Sequence, residues 1–430
     1  MPENKMWRVL AVAAVVVVLA AACAPAATPT EAPPTLAPAP TQPPAAPTEA
    51  VVEPAPTEGP TPFTFGMLLV GPYNDHGWSQ AHYDAGLYVE DNLPGATMLY
   101  VDKVNPADHP GTTPAQLAED LVSKGATLVI FNSDDMKDSS TEFAQAHPEV
   151  QVIMASGDQV WKDGNAYVEI ANMVNIMGRM EYGKMIAGCA AALTSQTGKI
   201  GYLGPLINDE TRRLASSAYL GAKYCWENYL EKDPADLSFK VTWIGFWFNI
   251  PGVTSDPTQV ADEFYNGGYD VVISGIDTTE GLNEAGRFAT EGKQVWAIPY
   301  DFKGACGEAT EVCLGVPYFN WGPAYLEQIK AAEAGTFTSV FQWNGPDWMD
   351  INDPDTSAVG FEKGAALSAE AAASVDEFIA ALGGGLNLWT GPVNLQDGTA
   401  YLADGEVGTD QQVWYLPQLL EGMEGQSVPQ

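Results

Sequence analysis

Phe63-Thr64-Phe65-Gly66-Met67-Leu68-Leu69-Val70, closed by Gly71 and followed by a helical stretch from about Ser79 to Asp91, decides the fold. Its side chains are almost all apolar and do not alternate with polar ones. That marks a strand buried on both faces, as in parallel sheets covered by helices. The pairing of strand and helix then repeats. Strands are expected at Ala96–Val104, Thr127–Asn132, Val150–Ser156 and Ala166–Ala171, then at Lys199–Leu203, Lys240–Phe246, Tyr269–Ser274 and Gln294–Pro299. Helical candidates near 114–124, 138–147, 175–194, 210–231, 256–267 and 278–291 lie between them.

This alternation predicts an α/β protein with two doubly wound parallel-sheet lobes. The expected break is Ala171-Asn172, giving a first lobe over 63–171 and a second over 172–301. A return segment, 302–430, includes a helix over Trp321–Ala334 and contributes to both lobes. Ligands of such sheets bind at the carboxyl ends of the strands, so two facing lobes would enclose a cleft.

Upstream, residues 1–22 carry Lys5 and Arg8 before an apolar run from Val9 to Ala22. The run is shorter than the roughly 20 residues a membrane-spanning helix needs, so the layout is that of an export signal. Ala20-Ala21-Ala22-Cys23 is similar to a bacterial lipobox, with Leu19 four residues before the cysteine where the motif prefers three. Cys23 is therefore the expected lipidation site, a palmitate-type anchor on the extracytoplasmic face of the cell membrane. From Ala24 to Pro62 the chain holds thirteen of the 32 prolines and lacks Lys, Arg, Ser, Asn, Asp and aromatics. Such a segment, 23–62 with its cysteine, cannot bury a core and favours extended polyproline II. At about 3.1 Å per residue it would act as a spacer on the order of 100 Å long.

Nineteen Lys and Arg against 55 Asp and Glu give a net charge of −36, and setting residues 1–22 aside changes this by one unit. A chain this acidic is repelled by phosphate backbones, which excludes nucleic acid as a partner. Besides Cys23 there are four cysteines: Cys189, Cys225, Cys306 and Cys313. Cys306 and Cys313 could close a short loop, leaving Cys189 for Cys225, although four cysteines permit three pairings. Neither the cysteines nor His76, His82, His109 and His147 have metal-ligand spacing, and no cofactor is expected. The chain lacks a Gly-x-Ser-x-Gly elbow, a phosphate-binding Gly-x-x-x-x-Gly-Lys-Ser/Thr and a His-Glu-x-x-His, so capture of a solute is favoured over catalysis.

At the expected strand ends one composition recurs, an acid or amide beside an aromatic ring. Asn74, Asp75, Trp78 and Ser79 follow the first strand, and Asn132 and Asp134 follow the third. Phe246 and Trp247, Asp277, and Asp301 beside Tyr300 follow strands of the second lobe, and Asn320 and Trp321 lie in the return segment. Rings suit the faces of a planar base or sugar, and carboxylates accept hydrogen bonds from hydroxyl or ring N–H groups. Each residue has a plainer reading. Asn74 or Asp75 would cap the following helix, Trp78, Phe246 and Trp247 would pack in a core, and Asp277 and Asp301 would serve in turns.

Three further stretches, Gly71-Pro72-Tyr73-Asn74-Asp75-His76-Gly77-Trp78-Ser79, Gly178-Arg179-Met180-Glu181-Tyr182-Gly183-Lys184-Met185-Ile186-Ala187-Gly188 and Asn320-Trp321-Gly322-Pro323-Ala324-Tyr325, complete the picture. Together with Trp389-Thr390-Gly391-Pro392-Val393, the chain resembles the basic membrane protein family of ABC-transporter solute-binding lipoproteins. The resemblance implies a type I periplasmic-binding-protein fold, with a hinge and an interlobe cleft, and delivery of ligand to an ABC permease by a monomer. It also implies a nucleoside or nucleobase as ligand, purine favoured, with Asp75 and Trp78, Phe246 or Trp247, Asp277 and Asp301 around the cleft and Asn320 and Trp321 near the hinge. His76-Gly77-Trp78-Ser79 departs from the Phe-Asn pair usual in nucleoside-binding members. A sugar or polyol in the same cleft, or a sensor docking on a signalling receptor, are the alternatives.

Overall fold

The computed structural model describes residues 62–429; the expected signal 1–22, Cys23 and the spacer up to Thr61 lie outside the described residues. The first sheet begins with β1 (Phe63–Leu68), α1 (Trp78–Asn92), β2 (Ala96–Val101), α2 (Pro114–Ser123), β3 (Leu128–Phe131), α3 (Lys137–Ala146) and β4 (Gln151–Ala155). β5 (Met173–Gly178) completes its N-terminal part. The second lobe runs through α4 (Met180–Thr194), β6 (Lys199–Gly204), α5 (Asp209–Asn228), β7 (Ser238–Trp243), α6 (Pro257–Asn266), β8 (Val271–Ser274), α7 (Glu280–Thr290) and β9 (Trp296–Ile298).

The return segment contains β10 (Gly315–Phe319), α8 (Gly322–Glu333), β11 (Phe341–Asn344), β12 (Val359–Lys363) and α9 (Ala369–Gly383). Short elements close the chain: β13 (Val393–Asn394), β14 (Ala400–Leu402), α10 (Asp410–Trp414) and β15 (Met423–Glu424).

The first sheet has the order β11-β5-β4-β3-β1-β2 and the second β15-β7-β6-β8-β9. Every pairing within these two sheets is parallel. In each, the first strand of the lobe lies between its second and third, which creates a topological switch point, at β1/β3 and at β6/β8. β1, β3 and β8 are almost wholly buried, as continuous apolar runs require. Caps fix the helix starts: Thr113 and Gln116 form a capping box on α2, and Asn208 and Thr211 form another on α5.

The first sheet does not end where the sequence suggested. Residues 166–171 form no strand, and β5 pairs with β4 beyond the expected Ala171-Asn172 break. Its residues are buried throughout, as in a strand covered on both faces, with Asn175 the one polar side chain among them. The helix expected over 175–194 accordingly begins at Met180. The chain passes between lobes three times: from β5 into α4, from β10 into α8, which packs on α1, and from β11, paired with β5, into β12, which pairs with β10.

Helices α4 and α5 form the back of the second lobe. A side chain at Gly188 would meet the Ala218 carbonyl at 1.8 Å, and one at Gly221 the Met185 carbonyl at 2.0 Å, so the two backbones pack at glycine contact distance. The Cys189–Cys225 disulfide joins these helices, and Cys306–Cys313 closes a second, short loop. The C-terminal tail is fixed to the second lobe by β15 beside β7 and by Arg212, whose Nε donates to the Leu416 carbonyl at 2.7 Å. It then reaches the first lobe. The Tyr415 hydroxyl donates to Asp158 and accepts the Asn165 N–H at 2.7 Å, and the Gln411 amide donates to the Asp163 carbonyl. Trp161 lies between Phe341, 4.8 Å away, and Tyr415, 5.8 Å away, with all three rings nearly parallel.

Candidate binding site

The carboxyl ends of the two sheets line a small cavity between the lobes. Trp78, at the start of α1, forms one wall with Ser133 and Asp134 after β3 and Ser156 after β4. The opposite wall carries Tyr202 on β6, Pro205, Glu210, Thr211 and Leu214 at and before the start of α5, Trp247 after β7, Gly275 and Asp277 after β8, and Tyr300 after β9. Four rings and three acids thus converge from both lobes. Contact between the lobes is close: a side chain at Gly77 would meet the Asp277 carbonyl at 1.7 Å.

The residues singled out from the sequence divide by position. Trp78, Asp134, Trp247 and Asp277 line the cavity. Trp78 is also firmly packed, its Nε1 donating to the Asn132 carbonyl at 2.7 Å and its ring edge-on to Phe319 and Trp321. Asp75 caps α1, accepting the N–H groups of Gly77, Ser79 and Gln80 at 2.9–3.0 Å. Ser79 accepts the Gly71 N–H, and Asn132 accepts the Val70 N–H, so both hold the first-strand loop. Asn74 is exposed, and Phe246 packs edge-on against Phe248 outside the cavity wall. Asn320 donates to the carbonyls of Pro354 and Ser357, and Trp321 stacks on His82 and Phe319, which places both in the packing beside the crossover strands.

Asp301 is fully buried, and neither carboxyl oxygen has a hydrogen-bond partner. It and Ser156 adopt left-handed backbone conformations, φ 71° and 68°. Such conformations cost about 1–3 kcal/mol each and collect at ligand sites. Nearby, Lys184 of α4 is buried, donates to the Ser274 carbonyl at 2.7 Å and lies 3.1 Å from the centre of the Tyr300 ring.

Burial dominates the electrostatics. It pushes Asp277 and Asp301 well above the usual carboxylate range and raises Asp134, while repulsion between Asp277 and Asp301 adds to the shift at Asp277. Burial lifts Glu210 to about 7 against the pull of Arg213, and Asp75 to about 6 despite its three N–H bonds. Lys184 is lowered well below a free lysine by the same desolvation, partly offset by Asp301. The cavity thus holds carboxyls that accept or donate hydrogen bonds at little charge.

Glu210 reads from sequence as an acid complementing a helix dipole, Thr211 as part of a helix cap and Tyr202 as a buried strand residue, so none of the three stands out. Their positional signal was available. The start of α5 follows β6 as the start of α1, with Trp78, follows β1, so the two lobes repeat one placement. Among the described residues no group of three or more His, Cys, Asp and Glu is arranged to hold a metal ion. No described helix is long and apolar enough to cross a membrane.

Two parallel α/β lobes, three crossovers and a ring-lined cleft at the strand ends define a two-lobed solute-binding protein of the type I periplasmic-binding fold. Similar solved structures include ABC transporter solute-binding proteins from Conexibacter woesei (TM-score 0.55, 16% identity, 76% of this chain and 98% of that one) and Aeropyrum pernix (TM-score 0.57, 15% identity, 76% and 83%). The chain belongs to the Bmp family, described as ABC transporter substrate-binding protein PnrA-like, which residues 63–370 match. A purine-binding protein of Brucella abortus is 26% identical over 354 residues, covering 80% of this chain and 88% of its own. A Haloferax volcanii protein named for glucose binding in an ABC transporter is 24% identical over 277 residues, covering 64% of this chain and 62% of its own.

Proposed function

We propose that this protein is a lipid-anchored receptor, held at the extracytoplasmic membrane face through Cys23, that captures a nucleoside or nucleobase, purine favoured, for an ABC permease. It acts as a monomer and does not transform its ligand. The observation that carries this reading is the convergence of Trp78, Tyr202, Trp247 and Tyr300 with Asp134, Glu210 and Asp277 in one interlobe cavity. Flat rings accommodate a planar base, and the acids take hydrogen bonds from hydroxyl and ring N–H groups. The family and the purine-binding relative from Brucella abortus support the same class.

A sugar is the second reading, favoured by the Haloferax volcanii relative and by the same pairing of rings with acids. Thermal unfolding against purine and pyrimidine nucleosides, their bases and a set of sugars separates the two. A ligand at 100 times its dissociation constant stabilises by about 2.7 kcal/mol. Stabilisation by a sugar and by no nucleoside or base would refute the preferred reading.

A further inference from the structure

Beside the aromatic cavity lies a second chamber, also between the lobes, and Asp134, Ser156 and Glu210 belong to the walls of both. Their chemistry differs. The outer chamber has no tyrosine or tryptophan from the inner ring set and is lined mainly by charged and polar groups, beneath Trp414 and Tyr415 of the C-terminal tail. Arg213 is 1% exposed, its guanidinium lies 4.1 Å from the centre of the Trp414 ring, and its Nε donates to Glu181 at 2.6 Å. Its Nη2 has no hydrogen-bond partner, nor does the Oγ of Ser156, which is 5% exposed. Two buried donors without acceptors, one of them on a charged group, are costly unless something completes them.

We propose that the outer chamber is a second subsite that receives the polar end of a ligand whose planar or ring-shaped end occupies the aromatic cavity, with Arg213 and Ser156 donating to it. The group they bind is an uncharged acceptor such as a hydroxyl, ether or carbonyl oxygen. Asp158 and Asp209 share the chamber, and its two cations are already engaged, Lys137 by Asp158 at 2.5 Å and Arg213 by Glu181 at 2.6 Å, so a phosphate or other anion is disfavoured. The inference rests on the same cleft as the proposed function, but it concerns ligand length and polarity, not ligand class.

The test pairs short and long members of each class: adenine with adenosine, guanine with guanosine, glucose with maltose, and adenosine 5′-monophosphate as the anionic probe. Affinities are measured by calorimetry on the mature chain and on Arg213→Lys, which keeps the charge and lies outside the walls of the aromatic cavity. In whichever class binds, the longer member is expected to bind at least tenfold more tightly, Arg213→Lys to weaken the longer member alone, and the monophosphate to be rejected. Ser156→Ala, which borders both cavities and keeps the backbone bond from its N–H to the Ile176 carbonyl, is expected to weaken the longer member more than the shorter. Equal affinity for short and long members, equal weakening of both by Arg213→Lys, or tight binding of the monophosphate would overturn the second subsite. If only the sugars bind and the longer one is preferred, the nucleoside reading fails and the second subsite stands. A panel in which nothing binds overturns both.

Discussion

Glu210 offers a direct test of the electrostatics of the cleft. Its carboxyl is buried at the start of α5 and raised from 4.5 to about 7, because burial outweighs the attraction of Arg213. Between those two values the folded protein holds a proton that the unfolded chain has released. Raising the pH through this window therefore removes stability: the contribution is intact below 4.5 and lost above about 7. A shift of this size corresponds to about 3 kcal/mol at ~1.4 kcal/mol per pH unit. Glu210→Gln keeps the shape and removes the titration, so the variant should match the parent near pH 4.5 and exceed it by about 3 kcal/mol at pH 8. Urea unfolding of both proteins from pH 4.5 to 8, compared as a difference, isolates Glu210 together with its coupling to Asp134, Asp277 and Asp301. A difference that does not change with pH, or a variant less stable at pH 8, would refute the assignment of a buried, proton-holding Glu210.

Gly77→Ala should drive the lobes apart, because its side chain would fall on the Asp277 carbonyl; ligand affinity is expected to drop more than tenfold, and small-angle scattering of the liganded protein should show a wider particle. Trp78→Ala is expected to cost about 3–5 kcal/mol of stability as well as binding, since the ring packs against Phe319 and Trp321 and donates to Asn132; denaturant midpoints check the first effect and calorimetry the second. Cys225→Ser opens a 36-residue separation and should cost about 4 kcal/mol, whereas Cys306→Ser, across a separation of 7, should cost about 2 kcal/mol, both read from urea midpoints.

The parts of the fold written in runs of buried residues were legible in the sequence. β1, β3, β6 and β8 announce themselves because strands covered on both faces need uninterrupted apolar side chains. Ala166–Ala171 misled because Tyr167, Val168 and Ile170 give it the composition of a strand around the single acid Glu169, although the segment follows the loop that carries Trp161. Met173–Gly178 was absorbed into the neighbouring helix because methionine and isoleucine suit either element and Asn175 interrupts the run. In the structure, Asn175 accepts the Val160 N–H at 2.7 Å, a partner distant in sequence from any strand signal.

Among the site candidates, an acid near a helix start reads the same whether it caps or faces a ligand. Asp75 and Asp277 differ only in what tertiary structure sets before them. The N–H groups of Gly77, Ser79 and Gln80 at the start of α1 face Asp75, and the cavity faces Asp277. Glu210 lay in a helix first turn and gave no separate signal, so only the correspondence between the lobes exposes it.

The tail that crosses from α5 to the first lobe supplies the protein with its own optical gauge. Trp161 belongs to the first lobe and Tyr415 to a tail bound by Arg212 and β15 to the second, and their rings stack 5.8 Å apart at 9°. A separation of the lobes that carries the tail with α5 must unstack this pair while leaving Trp161 against Phe341. Trp161 thus trades Tyr415 and the edge of Trp414, 5.7 Å away, for water, and tryptophan emission becomes a readout of the aperture, requiring no attached dye.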